Sequence, residues 1–187
     1  MVVSGPSGVG KSTVVDGLAE RLPFSFSVSM TTRAPRPGEV EGVDYRFVED
    51  DEFERAVAAG ELVEWAEYGG HMYGTPADQL EPERAAGNDV LLDIEIVGSR
   101  IVRERFPDAV MIFIAPPDIQ ELARRLRSRG DTSEADVVAR LAVANEQIEA
   151  SRELFDHVVV NDGLDAVIDQ VSDILATVPE PVTNNDD

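Results

Sequence analysis

The sequence of residues 5–13, GPSGVGKST, satisfies the pattern G-x-x-x-x-G-K-[ST] through Gly5, Gly10, Lys11 and Ser12. Glycines at these positions let backbone N–H groups curl around phosphate oxygens, and the helix that follows directs its positive end toward them. The lysine would reach the β- and γ-phosphates, and the serine hydroxyl would be a ligand of Mg²⁺. A chance match is roughly a one-in-a-hundred event in a chain of ordinary glycine content. The stretch therefore predicts a nucleotide-phosphate site.

The segments around this loop alternate between strands and helices. MVVSG precedes it as a short apolar strand, and KSTVVDGLAERL follows it as a helix. Apolar runs at residues 89–96, 110–117 and 157–162 are typical of strands buried on both faces, and helical patterns separate them. A last helix is predicted from Leu164 to Ala176. We expect an α/β fold of the P-loop class, in which three layers (αβα) surround a parallel core sheet.

Residues 29–85 carry shorter alternating strands and more turn residues, and we call this segment the lobe. The patterns SFSVSMTTR and DYRFV predict strands, DDEFERAVAAG predicts a helix, and ELVEWAEYGGHMYG predicts a hairpin. We expect the lobe to be a mixed or antiparallel insertion. Residues 118–152 carry a long helical pattern, in which a second helix would start at a Ser133/Asp136 capping box. We expect residues 1–176 to form one domain, with its core at about 1–28, 86–117 and 153–176. An acidic, disordered tail would follow at 177–187.

The composition of the 187 residues bounds the function. A formal net charge of -21 argues against non-specific binding to nucleic acid, which needs a basic face. Either a salt-adapted host or an arginine-favouring genome would explain that acidity together with fifteen arginines and one lysine. Cysteine is absent, which excludes disulfides and thiolate metal sites. The sequence has no signal-peptide pattern and no apolar run of membrane-spanning length, so we expect a soluble cytoplasmic protein.

Two arginines stand close together within the lobe, in the segment TTRAPRPGEVEGVDY at residues 31–45. Arg33 and Arg36 are three residues apart and precede Tyr45, and all three side chains suit an anionic group. Paired surface arginines are usually only solvated. Further polar residues in the same lobe, including Ser29, favour a binding site instead.

The whole arrangement resembles the guanylate kinase family. The resemblance rests on GPSGVGKST, SVSMTTRAPRPGEVEGVDYRF, EWAEYGGHMYGTP, LLDIE, IFIAPP, RLRSRG and VVVND, which occur in the family's order and spacing over residues 1 to about 176. It implies a P-loop fold with a GMP-binding lobe at about 29–85 and a helical lid at about 118–152, and the transfer of the γ-phosphoryl group of MgATP to GMP. The expected partners are therefore the small molecules ATP and GMP, with dGMP as a plausible acceptor. We expect no nucleic acid, no membrane, and a monomer or small homo-oligomer.

The resemblance also implies roles for individual residues. ATP would be bound by Gly5, Ser7, Gly8, Gly10, Lys11, Ser12, Thr13, Asn161 and Asp162, with Asn161 and Asp162 near adenine. GMP would be bound by Ser29, Arg33, Arg36, Glu39, Tyr45, Glu64, Tyr73, Thr75 and Asp93, with Glu64 reading the guanine N1–H and 2-amino group. Lys11, Arg36, Arg129 and Arg140 would be catalytic, whereas Arg124 and Arg127 would be solvated. Glu95 and Val97 depart from residues common in the family, where aspartate and glutamine are usual.

Two alternative functions stay open on the sequence alone. Another small P-loop kinase, for instance one that phosphorylates a ribose bisphosphate, would not need Ser29, Glu64 and Thr75 as a set that reads guanine. A catalytically inactive guanylate-kinase-like module of scaffolding proteins would bind phosphopeptides. Such modules typically lack an intact phosphate loop, so Lys11 and Ser12 argue against this alternative.

Overall fold

The computed structural model describes residues 1–128 and 133–177. Its helices and strands follow in chain order: β1 (Val2–Ser4), α1 (Lys11–Ala19), β2 (Ser25–Phe26), β3 (Met30–Thr31), β4 (Arg46–Phe47), α2 (Asp50–Ala59), β5 (Leu62–Tyr68), β6 (His71–Pro76), α3 (Ala77–Ala85), β7 (Val90–Asp93), α4 (Ile96–Arg105), β8 (Met111–Ala115), α5 (Ile119–Ser128), α6 (Glu134–Leu154), β9 (His157–Val160) and α7 (Leu164–Ala176).

A five-stranded sheet of order β2-β7-β1-β8-β9 forms the centre of the molecule, and every neighbouring pair in it is parallel. Its three inner strands β1, β7 and β8 are buried because helices cover both faces of the sheet, whereas the edge strands β2 and β9 are largely exposed. Ile112 and Ile114 of β8 pack on one face with α1, α5 and α7, while Met111 and Phe113 pack on the other with α3 and α4. The predicted three-layer α/β class is confirmed.

A second sheet of order β4-β3-β6-β5 stands apart from the first. β5 and β6 form an antiparallel hairpin, β3 pairs antiparallel with β6, and β3 pairs parallel with β4. The hairpin turns at Gly69 and Gly70, whose φ angles of 61° and 79° fit a tight two-residue turn. This sheet is mixed, as expected for the lobe.

The structure differs from the sequence-based expectation at two segments. SFSVSMTTR does not form one strand: β2 joins the central sheet, β3 joins the second sheet, and residues 27–29 connect them. Helix α3 was not predicted because Pro82 lies inside it, and proline normally disfavours a helix interior. Burial of Leu80 against the central sheet accompanies this helix despite that local preference.

The two helices of the predicted lid region flank residues 129–132, which lie outside the described residues together with residues 178–187. Helix α6 begins as predicted, because the Ser133 hydroxyl accepts a hydrogen bond from the Asp136 backbone N–H at 3.2 Å. Within residues 1–128 and 133–177, no helix combines the length and the apolar character that crossing a membrane requires.

Candidate active site

The phosphate loop connects β1 to α1 and packs directly against the central sheet. A Cβ at Gly5 would lie 2.3 Å from the Ile114 carbonyl oxygen, so a larger residue does not fit there. Gly10 has a φ of 100°, a left-handed conformation that glycine adopts at little cost. Both glycines therefore set the path of the loop into the N-terminus of α1.

Two polar side chains from elsewhere in the chain hold this loop. Asn161 Nδ2 donates to the Val9 carbonyl at 2.8 Å, and Arg125 Nη1 donates to the same oxygen at 3.1 Å. Arg125 Nη2 also donates to the Asn161 carbonyl at 2.9 Å. The Asn161 amide thus supports the loop from behind, and its contact with adenine stays a prediction. The sequence alone indicated no role for Arg125 in the site, because only the fold brings α5 beside the loop.

Lys11 lies between the loop and two carboxylates. Its Nζ donates to the Gly5 carbonyl at 2.8 Å and lies 3.9 Å from Asp93 Oδ1 and 3.9 Å from Glu95 Oε1. Burial would lower the pKa of Lys11, but the negative charges of Asp93 and Glu95 outweigh burial and raise it. The lysine is therefore a fixed positive charge at neutral pH.

Asp93 is the last residue of β7, and Glu95 lies two residues later, just before α4. Burial raises the pKa of Asp93, and the neighbouring Lys11 partly opposes that rise. Glu95 Oε2 accepts a hydrogen bond at 3.0 Å from Gln147 Nε2 of α6. Ser12 lies on the same cavity as the two carboxylates. These oxygen donors suit Mg²⁺, which prefers oxygen ligands and binds through few protein groups together with substrate phosphates.

Arg33 is held in place on the lobe by a carboxylate and two rings. Its two terminal nitrogens donate to the two Glu39 carboxylate oxygens at 2.9 Å each, and its guanidinium lies 5.3 Å from the Tyr45 ring centre and 5.7 Å from that of Phe47. Glu39 also accepts from the Arg36 backbone N–H at 2.6 Å. Among the described residues, the buried Nε of Arg33 has no hydrogen-bond partner. Glu39 thus lies behind Arg33 and orients it.

The two tyrosines named from the sequence lie beside this arginine. The rings of Tyr45 and Tyr73 meet edge to face with their centres 6.0 Å apart. Burial, with Asp93 and Tyr73 adding to it, raises the pKa of Tyr45 to about 12, so its hydroxyl is a proton donor at neutral pH. Arg36 is exposed at the rim of the same cavity.

A buried carboxylate faces the cavity from β5. The Thr75 hydroxyl donates to Glu64 Oε1 at 2.6 Å, and both residues are almost fully buried. Burial raises the pKa of Glu64 to about 7, although the hydrogen bonds from Thr75 oppose that rise. The carboxylate is therefore ready to ionise when a ligand supplies further donors.

One cavity brings most of the predicted residues together. It is lined by Ser7, Gly8, Gly10, Lys11, Ser12, Thr13, Ser29, Arg33, Arg36, Tyr45, Glu64, Tyr73 and Asp93, and also by Tyr68 and Glu95, which had not been assigned to the site. Tyr68 gave no signal in the sequence beyond its place in the hairpin. Glu95 was identified only as a departure from the family pattern.

The remaining predicted residues lie around that cavity. Gly5, at the start of the loop, packs against Ile114 of the central sheet. Glu39 accepts hydrogen bonds from Arg33, and Thr75 donates one to Glu64. Arg140 Nη1 reaches Ser7 Oγ at 3.5 Å from α6, and Asp162 is exposed after β9. Arg129, predicted as catalytic, lies outside the described residues.

Comparison with known proteins agrees with this geometry. The family model described as "Guanylate kinase" matches residues 1–178. A guanylate kinase of Synechococcus sp. (strain CC9902) is 52% identical over 91% of this chain and 91% of its own length. One from Synechococcus sp. (strain JA-3-3Ab) is 48% identical over 94% of this chain and 81% of its own. The crystal structure of guanylate kinase from Anaplasma phagocytophilum superposes with a TM-score of 0.78 at 38% identity, covering 94% of this chain and 82% of that one.

Proposed function

The chain belongs to the guanylate kinase family, and we propose that it transfers the γ-phosphoryl group of ATP to GMP, which gives ADP and GDP. One observation carries this proposal above the others. A single cavity is lined on one side by a phosphate loop with Lys11 and on the other by Arg33, Arg36 and a buried Glu64. A donor and an acceptor nucleotide can therefore meet in one site.

The phosphate loop and Lys11 would bind the triphosphate. Backbone N–H groups of the loop and the N-terminus of α1 offer donors and positive potential to phosphate oxygens. One N–H of the Lys11 ammonium already donates to the Gly5 carbonyl. Its other two N–H groups would bind the oxygens of the phosphoryl group as it is transferred. Arg140 would approach from α6, since it already reaches Ser7 of the loop.

The lobe would bind GMP through two separate groups of side chains. Arg33, Arg36, Tyr45 and Tyr73 would hold its phosphate. Glu64, supported by Thr75, would accept hydrogen bonds from guanine N1–H and the 2-amino group, with Ser29 near O6. Adenine lacks those paired donors, so a buried ionised Glu64 facing AMP would be left unpaired at a cost of about 1–3 kcal/mol or more.

Mg²⁺ fits the oxygen donors at the end of β7, where the Ser12 hydroxyl and the Asp93 and Glu95 carboxylates would hold it together with the phosphates of ATP. When bound, it would neutralise negative charge on those phosphates. Gln147 donates a hydrogen bond to Glu95, and Lys11 lies within 3.9 Å of the Asp93 and Glu95 carboxylates. These contacts hold both carboxylates in place.

The transfer step needs no general base. The second pKa of a phosphate monoester is about 6, so GMP is largely dianionic at neutral pH. One of its phosphate oxygens attacks the γ-phosphorus of ATP and forms the new P–O bond, while the bond to the oxygen bridging the β- and γ-phosphates breaks and ADP leaves. The residues contribute alignment and positive charge: Lys11 and Arg140 on the donor side, Arg36 on the acceptor side. Arg129 would join them.

The experiment measures ADP release from MgATP with GMP, dGMP, AMP, UMP and a ribose bisphosphate as acceptors, across a salt series. We expect GMP to be the best acceptor and dGMP to be used. A preference for the sugar phosphate would identify a different small-molecule kinase. Binding of a phosphopeptide without any ADP release would identify a recognition module instead.

A further inference from the structure

Gly98 lies in the first turn of α4, directly against the carboxylate of Glu64. A Cβ placed on Gly98 would lie 2.1 Å from Glu64 Oε2 and 2.8 Å from Glu64 Cδ, and both separations are shorter than any stable contact between such atoms. Gly98 is buried and has an ordinary helical backbone conformation. Glycine is therefore needed here because it has no side chain, and not because of its backbone freedom.

The Glu64 carboxylate is consequently held from two sides. Thr75 donates to Oε1 at 2.6 Å, and the backbone of α4 at Gly98 packs against Oε2. The far end of the same helix is also tied to β5, because Arg105 Nη1 donates to the Val63 carbonyl at 3.3 Å. Helix α4 therefore forms a wall that limits where the carboxylate can point.

Glycine destabilises a helix, and the contact with Glu64 explains why this position nevertheless carries a glycine. Within a helix, glycine is less favourable than alanine because it loses more backbone freedom on folding. Alanine would be preferred at Gly98 if the space were empty. The space is instead filled by the Glu64 carboxylate, which lines the cavity.

We propose that Gly98 is a specificity-determining positioning residue: its missing side chain leaves the room in which Glu64 takes the orientation that reads guanine. This inference rests on the proposed function, in which Glu64 is the guanine-binding group. Gly98 itself touches no substrate and acts through Glu64.

The first test replaces Gly98 with alanine. Glu64 Oε2 is the movable end of a flexible side chain, so G98A should displace the carboxylate rather than unfold the protein. Losing hydrogen bonds to a charged group corresponds to about 10- to 100-fold in binding. We expect KM for GMP to rise by at least about tenfold and the preference for GMP over AMP to fall, with KM for ATP changing less than about twofold. An unchanged KM for GMP would overturn the proposal.

Gly17 provides a matched control. It also lies inside a helix, α1, and a Cβ there would lie 2.2 Å from Ile168 Cδ1, the movable end of an apolar core side chain. G17A therefore introduces the same kind of contact away from Glu64. We expect G17A to lower Tm while leaving KM for GMP and ATP unchanged. If G17A raised KM for GMP as much as G98A does, the effect would be general loss of packing and the proposal would fail.

The second test repeats G98A in an E64A background. All three atoms that the new Cβ would meet belong to the part of Glu64 beyond its Cβ, so E64A removes the collision. In that background G98A should raise Tm by about 2–4 °C, the value expected for replacing glycine in a helix, and should change KM for GMP by less than about threefold. A further loss as large as in the wild type would show that Gly98 does not act through Glu64.

These measurements separate the two proposals. A wild-type protein that releases no ADP with GMP would overturn the proposed function. The change in Tm on adding G98A, compared between the wild-type and E64A backgrounds, would still report whether Gly98 and Glu64 compete for the same space.

Discussion

The phosphate loop and the lobe meet at one cavity but are built in different ways. The loop sits on a central parallel sheet with large buried clusters on both faces, and its shape depends on backbone contacts such as Gly5 against Ile114. The lobe contains strands of two residues and a small cluster of four buried residues: Met30, Phe53, Ala56 and Leu62. Its site depends instead on pairs of polar side chains.

This difference separates two kinds of sensitivity to mutation. A loop formed by backbone groups tolerates few changes in its glycines, but only Lys11 contributes a charged side chain from within it. In the lobe, Arg33 requires Glu39 and Glu64 requires Thr75, so each functional group has a partner that orients it. We expect variants of the loop to affect every acceptor, and variants of the lobe to affect GMP selectively.

The largest effect is expected on the loop side. Lys11→Ala removes the only charged side chain of the phosphate loop and leaves Asp93 and Glu95 without their shared cation. Removing a group that stabilises the transferring phosphate typically lowers kcat by about 10²–10³-fold or more. We expect kcat to fall by about 10³-fold with every acceptor tested, as measured by ADP release. A loss confined to GMP would contradict the division between the two regions.

Arg36→Ala should produce the next largest effect, on the lobe side. Its side chain is exposed at the cavity rim, so little packing is lost, and kcat/KM for GMP should fall by about 10²-fold with Tm unchanged. The matched control is Arg55→Ala, which removes an exposed arginine of the same lobe whose Nε donates to the Asp51 carbonyl in the preceding turn of its own helix. Turnover of Arg36→Ala equal to that of Arg55→Ala would refute the role of Arg36.

The sequence predicted the helices and strands of the molecule better than the side-chain contacts that support its candidate site. Apolar runs located four of the five strands of the central sheet, β1, β7, β8 and β9, and Leu164–Ala176 was predicted with its observed bounds, because local periodicity and turn residues carry that information. Helix α3 was missed since Pro82 contradicts it locally. Most of the site residues named from motifs line one cavity, and several others lie around it. Their partners, including Arg125, Gln147 and Gly98, were missed because only tertiary packing brings α4, α5 and α6 to the site.

Glu64→Gln tests whether the lobe reads guanine by charge. The amide keeps the size of the side chain but cannot accept from both guanine donors as a carboxylate can, so kcat/KM for GMP should fall by about 10- to 100-fold and KM for ATP should stay unchanged. Equal losses for both substrates would count against Glu64 as the guanine reader.

The same variant makes a prediction about pH. The pKa of Glu64 rises from 4.5 to about 7 on folding, so the folded protein binds this proton more tightly than the unfolded chain does. As pH rises from 4.5 to about 7, the free energy of unfolding of the wild type should therefore fall by roughly 3 kcal/mol relative to that of Glu64→Gln. Denaturant unfolding of both proteins at pH 5 and pH 8 measures it, and parallel curves would contradict it.

The smallest expected effect returns to the loop side, where Arg125 and Arg124 form a matched pair. Both donate to the Glu121 carboxylate, but only Arg125 continues to the Val9 and Asn161 carbonyls behind the phosphate loop. Arg125→Ala should loosen the loop and raise KM for ATP by about tenfold, because hydrogen bonds from a charged donor contribute about 1.5–3 kcal/mol and part of this is lost to water. Arg124→Ala should leave KM for ATP unchanged, since an exposed ion pair contributes little. Equal KM values for the two variants would contradict the role of Arg125, and the loop would then be held by its backbone contacts and Asn161.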